Sequence, residues 1–173
     1  ITCRDWSSDV CSSDLRIPNP VKENMEILGL FKSVECLYEQ TLLKKNIRFC
    51  YQTDSGAMVL FADKTLTEQV LINLLNNAME ACEHKGDAEI KMRSFTENGK
   101  TCISVKDNGR GISKDTLEKL FEPLFTTKPG GMGIGLYLCR QIMQMHQGFI
   151  RVLSSENEGA EVILEFPAAT DCL

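Results

Sequence analysis

From Val21 onward, apolar residues return every three or four positions, at Ile27/Leu28, Phe31, Val34, Leu37/Tyr38 and Leu42. That spacing is one stripe of a helix. Lys44 and Lys45 place positive charge where a helix C-terminus favours it. The stretch before it, 16–20, carries Pro18 and Pro20 and is expected to be extended. Short apolar runs at 47–51 and 58–61 flank Thr53-Asp-Ser-Gly56 and predict strands around a turn. A second helical pattern runs over about 66–83, with Leu66, Val70, Leu71, Leu74, Leu75, Ala78 and Ala81 inward and Asn73, Asn77, Glu80 and His84 on the opposite side.

Strand patterns at 88–95 and 101–106 enclose Glu97-Asn-Gly99, a strong hairpin signal. A short helix is expected over 113–121, capped by Ser113. Residues 122–132 are rich in Pro and Gly and predict a loop. Ile134, Leu138, Ile142 and Met145 then mark a helix, and 149–153 with 160–166 a closing hairpin. Strands that come in adjacent pairs imply a mixed, mostly antiparallel sheet, which the helices must cover on one face. The expected fold class is therefore an α+β two-layer sandwich and not a doubly wound sheet.

With 173 residues, 43% of them hydrophobic, the chain suffices for one core. A formal charge of −5 argues against a nucleic-acid partner, which needs a basic face. No apolar run is long enough to span a bilayer, so the fragment is expected to make no membrane contact. The 8 cysteines are scattered without a C-x-x-C pair, and there are only 2 histidines. This is not zinc-ligand spacing and reads as free thiols in a reducing compartment. Residues 1–15 repeat Ser-Ser-Asp, show no helical or strand period, and resemble translated adapter sequence. The expected division is a non-native or disordered leader at 1–15, a single domain at 16–168 and a tail at 169–173.

The candidate chemistry lies in an ordered set of residues. Asn73 and Asn77 are one turn apart on the second helix, and a neutral amide oxygen is a fitting Mg²⁺ ligand where phosphates already supply charge. Asp107 ends a strand and opens Asp-Asn-Gly-Arg-Gly-Ile. Its carboxylate can accept from the exocyclic amino group of adenine. Lys128 follows Thr126 and Thr127, and Gly131-Met132-Gly133-Ile134-Gly135-Leu136 leads into a helix. Glycines there bring backbone N–H groups to a triphosphate, helped by the positive end of the helix. Taken singly, these features also suit a wetted helix face, an ordinary turn and a surface loop. Their order together points to Mg-ATP.

Over about 20–167, the chain resembles the ATP-binding catalytic domain of sensor histidine kinases, in the superfamily shared with DNA gyrase, Hsp90 and MutL. Leu71-Ile-Asn-Leu-Leu-Asn-Asn-Ala resembles the N box, Asp107-Asn-Gly-Arg-Gly the G1 box, Phe121-Glu-Pro-Leu-Phe the F box and Gly131-Met-Gly-Ile-Gly-Leu the G2 box. Thr-Thr-Lys-Pro is similar to the short-lid, nitrogen-regulator type. The resemblance implies a Bergerat-type fold with ATP and Mg²⁺ as cofactors. Asn77 would hold the metal and Asp107 would read adenine. Gly109, Gly111 and Ile112 would shape the base pocket, while Asn73, Thr126, Thr127, Lys128 and the loop 131–136 would hold the phosphates.

Relatives that hydrolyse ATP place a Glu where this chain has Asn73, and an amide is no general base. The resemblance therefore implies phosphoryl transfer to a protein histidine, with Asn73, Asn77 and Lys128 as the catalytic set. Neither His84 nor His146 sits in a phosphoacceptor motif. The implied partners are an upstream dimerisation and phosphoacceptor domain and, indirectly, a response-regulator receiver domain. The implied location is cytoplasmic, with a membrane-anchored parent. Ala160 stands where the family commonly has a hydroxyl that holds a water against adenine. The same residues also suit an ATP-binding regulatory module, or a serine-kinase or ATPase relative.

Overall fold

The structure is a computed structural model and describes residues 17–54, 58–127 and 131–167. The segments expected as leader and tail, and Lys128, lie outside the described residues. In chain order the elements are β1 (Glu23–Glu26), α1 (Ile27–Lys44), β2 (Arg48–Thr53), β3 (Val59–Ala62), α2 (Lys64–Ala81), β4 (Glu89–Glu97) and β5 (Lys100–Asp107). They continue with α3 (Lys114–Lys119), α4 (Gly135–Met145), β6 (Phe149–Ser154) and β7 (Ala160–Phe166).

Five strands form one sheet in the order β2-β4-β5-β7-β6. The β2–β4 pair is parallel and the other pairs are antiparallel. The expected α+β class, with a mixed and mostly antiparallel sheet, is the one observed. Along β4, Ile90, Met92 and Ser94 are buried, as are their cross-strand neighbours Val105 and Ile103 on β5. These join Leu71, Leu74 and Leu75 of α2, Phe31 of α1 and Ile142 of α4 in one core. The alternate strand residues point the other way and carry ion pairs, among them Arg93–Asp54 at 2.8 Å and Arg151–Glu165 at 2.8 Å. The period of two in the strands thus puts the helices on one face.

Two expectations change. The helix expected from Val21 begins at Ile27, because Glu23–Glu26 pairs antiparallel with β3. The Ile27 N–H donates to the Met58 carbonyl at 3.0 Å, which ties the start of the helix to that small sheet. Nor do the strands around residues 53–56 pair with each other: β2 joins β4, and β3 joins β1. Leu60 and Ala62 of β3 are buried, while Tyr51 of β2 packs edge-on against Phe31 of α1. A β2–β3 hairpin would forfeit one of these two burials.

The entrance to α2 is held by a polar junction. The carboxylate of Asp63 accepts from the N–H of Leu66 at 2.9 Å and from that of Val21 at 2.8 Å. Burial acts to raise the pKa of Asp63, but these backbone donors prevail and hold it below the ordinary value. The Asp63 N–H donates to Nε2 of the buried His146, whose Nδ1 lies 2.8 Å from the Ile142 carbonyl. This geometry requires the neutral tautomer with its proton on Nδ1. A proton on Nε2 would face the Asp63 N–H.

Burial, aided by nearby Lys22, holds the His146 pKa below its ordinary value, against the opposing pull of the Ile142 carbonyl and Asp63. The unfolded chain therefore binds this proton more readily, and stability is lost as the pH falls through the ordinary histidine range. The stability tied to Asp63 is lost only at lower pH, below the ordinary carboxylate range. We expect the urea midpoint to fall between pH 7.5 and 5.5 and the fall to shrink in His146→Gln. An equal fall in both proteins would refute this.

Candidate functional site

Two joined cavities lie between α2, the end of β5, α3 and the start of α4. The first, of about 270 Å³, is lined by Asn73, Asn76, Asn77 and Glu80 of α2, by Phe125, Thr126 and Thr127, and by residues 131–136. The second, of about 320 Å³, has apolar walls from Leu74, Ala78, Val105, Ile112, Leu136 and Val162, with the Asp107 carboxylate also in its lining. Asn77, Thr116, Leu120, Thr127 and Leu136 line both. An apolar slot lined by the Asp107 carboxylate thus joins a chamber of amides, hydroxyls, the Glu80 carboxylate and loop backbone.

Asp107 is the last residue of β5 and is 6% exposed. Its register opposite Ala160 puts both on the helix-facing side, where both line the slot. Its Oδ1 accepts from the Gly109 N–H at 2.8 Å. Burial raises its pKa, while the backbone amides of Gly109 and Ala160 and the charge of Lys85 act against that rise. Those donors favour the ionised form, which is an acceptor on every lone pair.

The turn after Asp107 is held from two sides. Asn108 accepts from the Glu89 N–H at 2.9 Å and donates to the Asp87 carbonyl at 2.8 Å. The Ser154 hydroxyl accepts from the Ile112 N–H at 2.9 Å and donates to the Gly159 carbonyl at 2.7 Å. Gly111 has φ +69°, and a Cβ there would lie 1.9 Å from the Ser155 carbonyl oxygen. Only glycine permits both the left-handed backbone and that approach. Gly133 is alike, with φ +65° and a virtual Cβ 2.4 Å from the Leu124 carbonyl carbon.

Asn73 is engaged by α4. Its Nδ2 donates to the Cys139 sulfur at 3.3 Å, and a Cβ on Gly135 would meet its Oδ1 at 2.7 Å. Burial pushes the Cys139 thiol up to about 12, so this partner stays a neutral thiol. Asn73 therefore braces the start of α4 against α2 while lining the chamber.

Of the residues singled out from sequence, Asn73, Asn77, Thr126, Thr127, Gly131, Met132, Gly133, Ile134, Gly135 and Leu136 line the chamber. Asp107, Gly111 and Ile112 join Asn77, Thr127 and Leu136 on the slot. Lys128 falls outside the described residues. Gly109 lines neither cavity and packs behind the slot against Ala81. Asn76, Thr116, Leu120 and Phe125 also line the site, and Asn108 and Ser154 support it, beyond the residues singled out from sequence. Asn76 shares the three- and four-residue spacing of Asn73 and Glu80, and that signal was available. For Thr116, Leu120 and Ser154 only the folded chain brings the side chains to the site.

The family described as histidine kinase-, DNA gyrase B- and HSP90-like ATPase matches residues 62–170. The signal transduction histidine-protein kinase AtoS of Escherichia coli is 36% identical over 142 residues, covering 78% of this chain and 23% of AtoS. The chain thus spans about a quarter of the length of the curated relatives it matches. The catalytic domain of the histidine kinase ThkA superposes with a TM-score of 0.77 at 38% identity, over 84% of this chain and 95% of that domain. ThkA in complex with the response regulator protein TrrA superposes with a TM-score of 0.73 at 32% identity, covering 88% of this chain and 43% of ThkA. The chain belongs to the histidine kinase-, DNA gyrase B- and HSP90-like ATPase family, as a catalytic domain of the histidine-kinase kind.

Proposed function

We propose that this domain binds Mg-ATP and passes the γ-phosphoryl group to a histidine on a separate dimerisation and phosphoacceptor domain. The observation that carries the reading is the joining of an apolar slot, with Asp107 in its lining, to an amide- and glycine-lined chamber at Asn77 and Thr127. Adenine fits the slot by its flat apolar faces and its amino group, for which Asp107 is the acceptor. The triphosphate then lies in the chamber, where the amides of loop 131–135 and the N-terminal end of α4 are donors.

The donor set suits a hard divalent cation. Amide oxygens and hydroxyls, with the Glu80 carboxylate also in the lining, supply oxygen ligands, and the phosphates supply the rest of the charge. Asn77 holds the metal in this reading, and Lys128, Thr126 and Thr127 hold the terminal phosphate. When bound, Mg²⁺ neutralises charge on the phosphate oxygens.

In the transfer, a ring nitrogen of the acceptor histidine forms a bond to the γ-phosphorus as the bond to the β–γ bridging oxygen breaks, releasing ADP. The protein positions the reacting groups and spreads charge. Asn73 has no acid–base function, and its bond to Cys139 commits it to holding α4. Water in the chamber therefore lacks a general base from this position. Transfer to an incoming imidazole is favoured over hydrolysis.

In this reading residues 16–168 are the working unit. The domain works in the cytoplasm as part of a membrane-anchored parent, and a response regulator takes the phosphoryl group from the histidine. To test it, the domain is mixed with the phosphoacceptor domain of its parent kinase and γ-labelled Mg-ATP. The expected result is label on that partner that is labile to acid and stable to base. Release of free phosphate by the domain alone, without label on the partner, would move the reading to an ATPase. Failure to bind ATP would overturn it altogether.

A further inference from the structure

Behind the slot, beside Gly109 and Ala81, the chain after α2 turns sharply back. His84 takes φ +69° there, and the Lys85 N–H bonds to the Cys82 carbonyl at 3.1 Å. The turn carries the half-buried Lys85 side chain to the loop after β5, where its ammonium donates to the carbonyl of Asn108. That carbonyl belongs to the same peptide unit as the Gly109 N–H, which donates to Oδ1 of Asp107 at 2.8 Å. In a trans peptide the C=O and N–H point in opposite directions. A cation that fixes the carbonyl behind the slot thereby aims the N–H at the carboxylate in front. It also polarises the peptide so that the N–H becomes a stronger donor.

We propose that Lys85 is a positioning residue for base recognition, acting through the Asn108–Gly109 peptide to hold the Asp107 carboxylate as an acceptor for a 6-aminopurine. The inference rests on the reading of this site as a nucleotide pocket. Lys85 is not among the residues that line the slot and lies instead beside Gly109 and Ala81. Its effect is transmitted by one peptide plane.

The surroundings support the assignment. The next residue, Arg110, donates its N–H to the Ala81 carbonyl at 3.0 Å, so the end of α2 grips the loop just beyond the same peptide. Near the carboxylate, the Cys82 thiol is pushed up by burial and remains neutral. Arg110 lines the slot as well. Lys85 is the cation whose charge opposes the burial of Asp107.

The test compares ATP with inosine triphosphate, which carries a 6-oxo group in place of the amino group. Binding is read by displacement of a fluorescent nucleotide in the presence of Mg²⁺. The unaltered protein is expected to prefer ATP. Lys85→Met is expected to lose about fivefold to tenfold in ATP affinity, with inosine triphosphate held within about twofold, so that the ratio collapses. Lys85→Arg restores the ratio, and Lys85→Gln, a neutral donor with less disturbance of packing, falls between.

On acidification, the loss of ATP affinity begins at higher pH in Lys85→Met than in the unaltered protein. A general packing defect would weaken both nucleotides alike and leave the ratio unchanged. An unchanged ratio in both Lys85→Met and Lys85→Gln, with tight ATP binding by the unaltered protein, overturns the role of Lys85. If the unaltered protein binds neither nucleotide, the nucleotide-pocket reading itself fails.

Discussion

Asp107→Asn is expected to lower ATP affinity about a hundredfold, a loss of roughly 2–3 kcal/mol for one hydrogen bond to a charged acceptor in a buried slot. The Gly109 N–H already occupies Oδ1 at 2.8 Å. An amide has a single acceptor oxygen, and keeping that bond turns its NH₂ toward the slot. There it faces the amino group of adenine, donor against donor. The fold should not suffer, because a neutral amide is cheaper to bury than a carboxylate whose burial already raises its pKa. Calorimetric titration should therefore show weak ATP binding, and thermal unfolding should show a midpoint equal to or above that of the parent. Unchanged ATP affinity would remove Asp107 from base recognition. A large drop in midpoint would recast it as a structural residue.

Asn77→Ala should reduce phosphoryl transfer by at least about a hundredfold, the scale at which loss of a metal-site oxygen or its support is felt. Asn77 lies where slot and chamber meet. The adenine end should remain intact in the variant, so nucleotide binding without metal should change little. The specific mark is the response to Mg²⁺. Titration of the parent with Mg²⁺ should strengthen ATP binding, and EDTA should reverse it. In Asn77→Ala the two conditions should give similar affinities. A variant that keeps the full Mg²⁺ response would place the metal elsewhere.

Much of the fold could be read from local patterns. The polar face of α2, the Asn98-Gly99 turn between β4 and β5 and the Ser113 cap of α3 depend on residues a few positions apart. Their physics is complete within a turn of helix or a hairpin. The same holds for the ordered motifs, which identify the family because each box is contiguous.

Tertiary structure decided the partners of these local units. Nothing within β2 and β3 says that they separate, with β2 joining β4 in parallel and β3 joining β1. That choice follows from where Phe31, Tyr51 and Leu60 can be buried together. The amide of Asn73 looked like a site residue alone, and is also a brace, because Cys139 lies 66 positions away in sequence and 3.3 Å away in space. Gly109 sits in a binding motif, yet its place is behind the slot, where the end of α2 closes in.

Lys85 belongs to no motif and reaches the site from the rear across 23 positions. Local chemistry determined the ordered boxes of the family and the α+β frame that carries them. The packing of distant segments determined what each side chain in it does, since the direction of a polar group is set by the neighbour it meets and not by the residues beside it in the chain.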